Sequence, residues 1–153
     1  MGGNRAPSRT ELIDYLVRQV EIRVLDPAEI LLGESDALAE LRVWTASKAA
    51  GWAGELLGGD DDAAMRTVMR LLMALYPDDG PFDPPAEWWR TPLGRVVVRR
   101  VGHPVAASVS YATAGAMLGV SRQFVHDLVV RGRLERHPDG GVSTASVRER
   151  AKA

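Results

Sequence analysis

Arg122, Gln123 and His126 stand at positions i, i+1 and i+4 of an apolar-periodic stretch. On a helix they can be presented outward, while Val125, Leu128 and Val129 are expected to face inward. That outer face carries a guanidinium, an amide and an imidazole, groups able to bond base edges in the major groove of a DNA duplex. Ser121 precedes them and can cap the helix with its hydroxyl, adding a donor at the same end. Arg122 and Gln123 lie at the N-terminal end, which normally reaches the bases, and are assigned to base reading. Arg131, Arg133 and Arg136 follow and are assigned to phosphates. His126 can join either class and can change its contribution with pH. Arg148 and Arg150 can face solvent or phosphate.

Positioning these groups takes a small set of elements. A short helix over Ala112 to Leu118, a left-handed residue at Gly119 and a second helix over Arg122 to Arg131 satisfy the spacing of a helix-turn-helix. Ala114, Leu118, Val120, Val125, Leu128 and Val129 can close the core between the two helices. After Gly132, the run RLERHPDGGVS gives two short extended pieces about a turn of Pro138, Asp139, Gly140 and Gly141, with Leu134 and Val142 anchoring the base of a hairpin wing. Ser143 or Thr144 then caps a last helix in which Val147 packs inward.

This stretch resembles the winged helix-turn-helix of the MerR and excisionase group. The matching residues are Ala114, Leu118-Gly119-Val120-Ser121, Val125, Leu128-Val129, Arg131-Gly132, Leu134 and Gly140-Gly141. The resemblance covers about the last third of the chain and implies DNA binding. Gly115 stands where the pattern has its second alanine, and Phe124 and Asp127 stand where small polar and basic residues are commoner.

Upstream the pattern is helical. Ser8 and Glu11 form a capping-box pair ahead of Leu12, Leu16, Val20 and Val24, predicting a helix over residues 9–24. Asp26-Pro27 signals a new helix start, closed by Gly33. Ser35 or Asp36 caps a longer helix through Leu38, Leu41, Trp44, Ala49, Trp52 and Leu56 to Gly58-Gly59, with Glu40, Arg42 and Lys48 on its exposed side. Asp60-Asp61-Asp62 open another through Val68, Leu72 and Leu75, where Met65, Met69 and Met73 form a stripe read as ordinary core. The run YPDDGPFDPP is a breaker. AEWWR then makes a helical turn whose Trp88-Trp89 pair is read as core, and Thr91-Pro92 start a basic helix.

The fold expected is therefore mainly all-α, an N-terminal helical bundle followed by a helix-turn-helix with a small β-hairpin wing. Residues 1–8 are expected as a flexible N-terminus, 9–76 as an acidic helical domain, 77–107 as a Pro-rich connector with a basic linker helix, and 108–153 as the DNA-binding domain.

Composition narrows the function further. The net charge of −1 hides a division: residues 1–89 carry 8 basic and 16 acidic side chains, and residues 90–153 carry 11 basic and 4 acidic, so the back half suits a polyanion. With no cysteine, disulfide frameworks, thiol nucleophiles and thiolate zinc sites are excluded. His103, His126 and His137 lack metal-ligand spacing, the aspartate run lacks the alternation of a calcium loop, and no phosphate loop or nucleophile elbow is present, so neither cofactor, metal nor catalysis is expected. Nothing resembles a signal-peptide core or a membrane span, and a cytoplasmic, nucleoid-associated place is expected.

The reading that follows is a bacterial transcriptional regulator on double-stranded DNA, acting as a homodimer, with the N-terminal helices available to a protein partner. The competing readings are a protein-protein adaptor of antitoxin-like or sigma-interacting kind, and an architectural or segregation protein with little sequence preference.

Overall fold

A computed structural model describes residues 3–153; Met1 and Gly2, part of the expected flexible N-terminus, lie outside the described residues. The chain is mainly helical with one small antiparallel sheet, as expected. It divides into two compact units, residues 8–77 and residues 78–153 together with the N-terminal segment. No helix among the described residues is long and apolar enough to cross a membrane.

In the N-terminal unit, the Ser8 hydroxyl accepts from the Glu11 N–H at 3.1 Å and the Glu11 carboxylate accepts from the Ser8 N–H at 3.2 Å. This reciprocal cap opens α1 (Arg9–Val20), whose Leu12, Leu16 and Val20 are buried. The expected break before Asp26 does not occur. The backbone runs through a π-helical turn, Glu21–Leu25, directly into α2 (Asp26–Leu32), and Asp26 is itself helical. Pro27 cannot donate to the carbonyl four residues back and its ring crowds it; a widened turn just before the proline accommodates both faults without ending the helix.

Gly33 does end α2, in a positive-φ conformation. Of the two candidate caps for the next helix, Ser35 serves: its hydroxyl accepts from the Leu38 N–H at 3.2 Å and starts α3 (Asp36–Leu57). Asp60 caps α4 (Asp61–Leu75) by accepting from the N–H groups of Asp62 and Ala63 at 3.0 and 3.1 Å. α3 packs on α1 and on α4. Ala49 and Ala53 are fully buried on α3 and, lacking bulk, let its neighbours approach closely. One expectation fails here. The inward side of α4 is Ala64, Thr67, Val68, Leu71, Leu72 and Leu75, whereas Met65 and Met73 are exposed.

The C-terminal unit is built around a helix that the sequence suggested was a linker. The 3₁₀ segment Ala86–Arg90 leads to Thr91, whose hydroxyl caps α5 (Pro92–Arg100) through the Gly94 N–H at 3.1 Å. Leu93, Val96, Val97 and Val98 are all buried, so α5 is a central helix, packed on the 3₁₀ segment, on α6 (Tyr111–Leu118) and on α8 (Thr144–Lys152). Trp88 and Trp89 are core residues as expected, meeting edge-on at 5.0 Å and gathering Phe82 and His103 around them.

Residues 4 and 5, expected as flexible, are tied into this unit. The Asn4 amide donates to the carbonyls of Met117 and Arg95 at 2.9 and 3.3 Å, and Arg95 donates to the Arg5 carbonyl at 3.2 Å.

Candidate nucleic-acid interface

Ser110 starts the site by capping α6, its hydroxyl accepting from the Thr113 N–H at 3.1 Å. α6 ends at Gly119, whose φ of 71° is left-handed and open to glycine at little cost. The turn then folds back tightly, the Val120 N–H reaching the Gly115 carbonyl at 2.8 Å. Ser121 caps α7 (Arg122–Val130) through the Phe124 N–H at 3.0 Å. Ala114, Leu118, Val125 and Leu128 are buried between the two helices, while Val120 and Val129, expected with them, are only half-buried.

The hairpin differs from a simple pair of strands. Its first arm contributes only a single bridge, Arg136 to Val142, with the His137 N–H donating to the Gly141 carbonyl at 3.0 Å. The regular pairing of β2 (Val142–Ser143) is instead with β1 (Ser108–Val109), antiparallel, Val109 opposite Val142. β1 went unnoticed in the sequence because two residues are too few to show alternation. It gives the hairpin a footing beside the start of α6. Leu134 and Val142 are buried at its base, as expected.

Six predicted residues surround α7. Ser121, Arg122, Gln123 and His126 are exposed along one side of the helix, and Arg131 and Arg133 are exposed just past its end. Arg136 is exposed on the hairpin arm. Gln123 donates to the Asp127 carboxylate at 3.4 Å, which gives that acidic residue a partner one turn along. The His126 ring lies 6.1 Å from the ring of Tyr111.

The other two fall elsewhere. Arg150 lines a cavity of about 430 Å³ together with Phe124, Leu128 and Asn4. Phe124 sits about 200° round the helix from Arg122, so that cavity lies off the Arg122 face. Arg148 is half-buried, its Nε enclosed without a hydrogen-bond partner among the described residues, and its side chain fills the space that a Cβ on Gly102 would enter.

Two members of the site were missed. Val130 is 72% exposed, eight residues beyond Arg122 on the same side of α7, where it offers a methyl surface of the kind that packs on thymine. Its apolar type hid it among the core valines. Tyr111, behind His126, was passed over because it begins a helix rather than continuing a pattern.

Part of the positive charge of the back half is structural. Arg99 donates to the carbonyls of Asn4 and Ala151 at 3.2 and 2.9 Å, and Arg95 is held as described, so neither is a free surface cation. No family model matches this chain, and comparison with curated proteins and with solved structures gave no match.

Proposed function

We propose that this chain is a sequence-specific binder of double-stranded DNA, a bacterial transcriptional regulator of MerR- and excisionase-like type working at the nucleoid. The observation that carries the reading is the exposed side of α7, where Arg122, Gln123 and His126 stand in the first two turns behind the Ser121 cap and Val130 is exposed at the far end of the helix. Arg122 is suited to the O6 and N7 of guanine and Gln123 to the N6 and N7 of adenine. Arg131, Arg133 and Arg136 flank that side and supply phosphate contacts.

Three or so such contacts per copy bind weakly, so useful affinity calls for two copies on adjacent half-sites. The test is binding of a fluorescent duplex across a salt series. About three neutralised phosphates per copy predict a log–log slope near −3 for one copy and near −5 for two. Affinity that is absent, or indifferent to salt, would remove the reading in favour of a protein-protein adaptor.

A further inference from the structure

Two residues of the C-terminal unit are left over from the site described above. Phe124 is an aromatic side chain of α7 that stands off the Arg122 side and is only half-buried. Arg150 has the charge of a phosphate contact but lies away from that side. The two meet at one place, the cavity of about 430 Å³. Leu118, Val120 and Leu128 line it with them, and no acidic side chain does. Its remaining walls are the N-terminal segment at Gly3 and Asn4 and the end of α8 at Ala151 and Ala153.

Side-chain bonds tie these walls together. Arg99 donates to the carbonyls of Asn4 and Ala151 at 3.2 and 2.9 Å, and the Asn4 amide donates to the Met117 carbonyl at 2.9 Å. N-terminal segment, α6 and α8 are thus fixed to one another, and the cavity is preformed. Its volume falls within the roughly 300–1,000 Å³ of small-molecule sites, which combine apolar walls with a few placed polar groups. Arg150 is the charged one. It is exposed, and its guanidinium has no carboxylate or hydrogen-bond acceptor among the described residues. A guanidinium holds a carboxylate through two parallel bonds, and leucine, valine and phenylalanine walls take a hydrocarbon body. A phosphate, charged on every side, would set its other oxygens against those walls, and a neutral ligand would leave the cation unused.

We infer that this cavity binds a small apolar monocarboxylate, its hydrocarbon body against Phe124 and Leu128 and its carboxylate on the Arg150 guanidinium. Phe124 and Leu128 belong to the helix that carries Arg122, Gln123 and His126, so an occupied cavity bears on the helix proposed to read DNA. That consequence rests on the function proposed above; the binding of the carboxylate does not.

Nuclear magnetic resonance of the full isotope-labelled chain tests it without DNA, by titration with phenylacetate and, separately, with its neutral counterpart phenylacetamide. Phenylacetate is expected to give saturable shifts at the backbone amides of Leu118, Phe124, Leu128 and Arg150. Affinity for phenylacetamide is expected to be lower by roughly fivefold, the ratio a solvent-screened ion pair supports. Arg150→Gln alters an exposed side chain, so the variant is expected to fold as the parent does and to bind both probes alike. No saturable shift at millimolar phenylacetate, shifts confined to other parts of the chain, equal affinity of the parent for acid and amide, or a preference that survives Arg150→Gln would each overturn the inference. Phenylacetate added to the duplex titration then separates the two readings. A protein that binds phenylacetate and no duplex keeps the site and loses the proposed function, and a duplex affinity that phenylacetate leaves unchanged would overturn the coupling to α7.

Discussion

The Asn4 side chain donates to the Met117 carbonyl at 2.9 Å, joining the beginning of the chain to the last turn of α6. That carbonyl belongs to the set that a helix leaves without an internal partner at its C-terminal end. Replacing Asn4 by alanine removes this bond and the one to Arg95, and is expected to lower the stability of the C-terminal unit by about 1–3 kcal/mol. Thermal or urea unfolding measures the change, and a midpoint that does not move would show that the N-terminal segment is a passive strap.

Gly115 is predicted to resist even the smallest side chain. A Cβ there would stand 2.8 Å from the Val120 carbonyl oxygen, and the obstacle is backbone. Gly115→Ala, although it installs a better helix former, is therefore expected to destabilise the helix-turn-helix by about 1–3 kcal/mol and to weaken DNA binding with it. Unfolding and binding measured on one preparation decide the matter; a variant as stable as the parent would mean that the turn relaxes freely.

His103 gives the C-terminal unit a dependence on pH. Its Nδ1 accepts from the N–H groups of Val105 and Ala106 at 3.1 and 2.8 Å, a role open only to the unprotonated nitrogen. Burial beside Trp89 holds its pKa below the ordinary 6.5, against a smaller opposing pull from the Asp83 carboxylate. The unfolded chain thus takes up the proton more readily. The contribution of His103 to stability is complete above pH 6.5 and is lost as pH falls through the lowered folded value. His103→Asn keeps an acceptor without titrating and is expected to flatten the decline of the melting temperature between pH 7 and pH 5. A decline equally steep in the variant would place its origin elsewhere.

The arginines are predicted to separate by their surroundings. Arg136→Ala is expected to lower DNA affinity alike on all sequences and to reduce the salt slope by about one for each bound copy, since it removes one exposed phosphate donor per copy. Arg148→Ala is expected to leave the slope unchanged, because that side chain is held against Gly102. Equal losses of slope at both positions would contradict the division.

Much of this architecture was legible because its signals are local. Ser8 with Glu11, Ser35, Asp60, Thr91 and Ser121 each announce a helix start through a side chain that must reach an N–H two or three residues on, and each does so in the structure. What escaped depends on contacts distant in sequence. Nothing near Val96-Val97-Val98 distinguishes a buried central helix from a linker, because Arg95, Arg99 and Arg100 give it the basic side a linker helix would also have, and the partners that bury its valines come from α6 and α8. Met65 and Met73 show the converse, an apolar period that belongs to no core because no helix lies against it. For the candidate site, the spacing of Arg122, Gln123 and His126 was sufficient to place them together, whereas Arg148 and Arg150 were drawn in by charge alone.

The central claim is that the exposed side of α7 reads DNA sequence. Its most direct test is recovery and sequencing of genomic DNA bound to the protein, set beside the same recovery with Arg122 and Gln123 both changed to alanine. The account predicts discrete peaks sharing one motif, lost in the double variant while residual salt-sensitive binding persists through Arg131, Arg133 and Arg136. Peaks that survive the double substitution unchanged, or a parent protein that enriches no DNA above background, would contradict it.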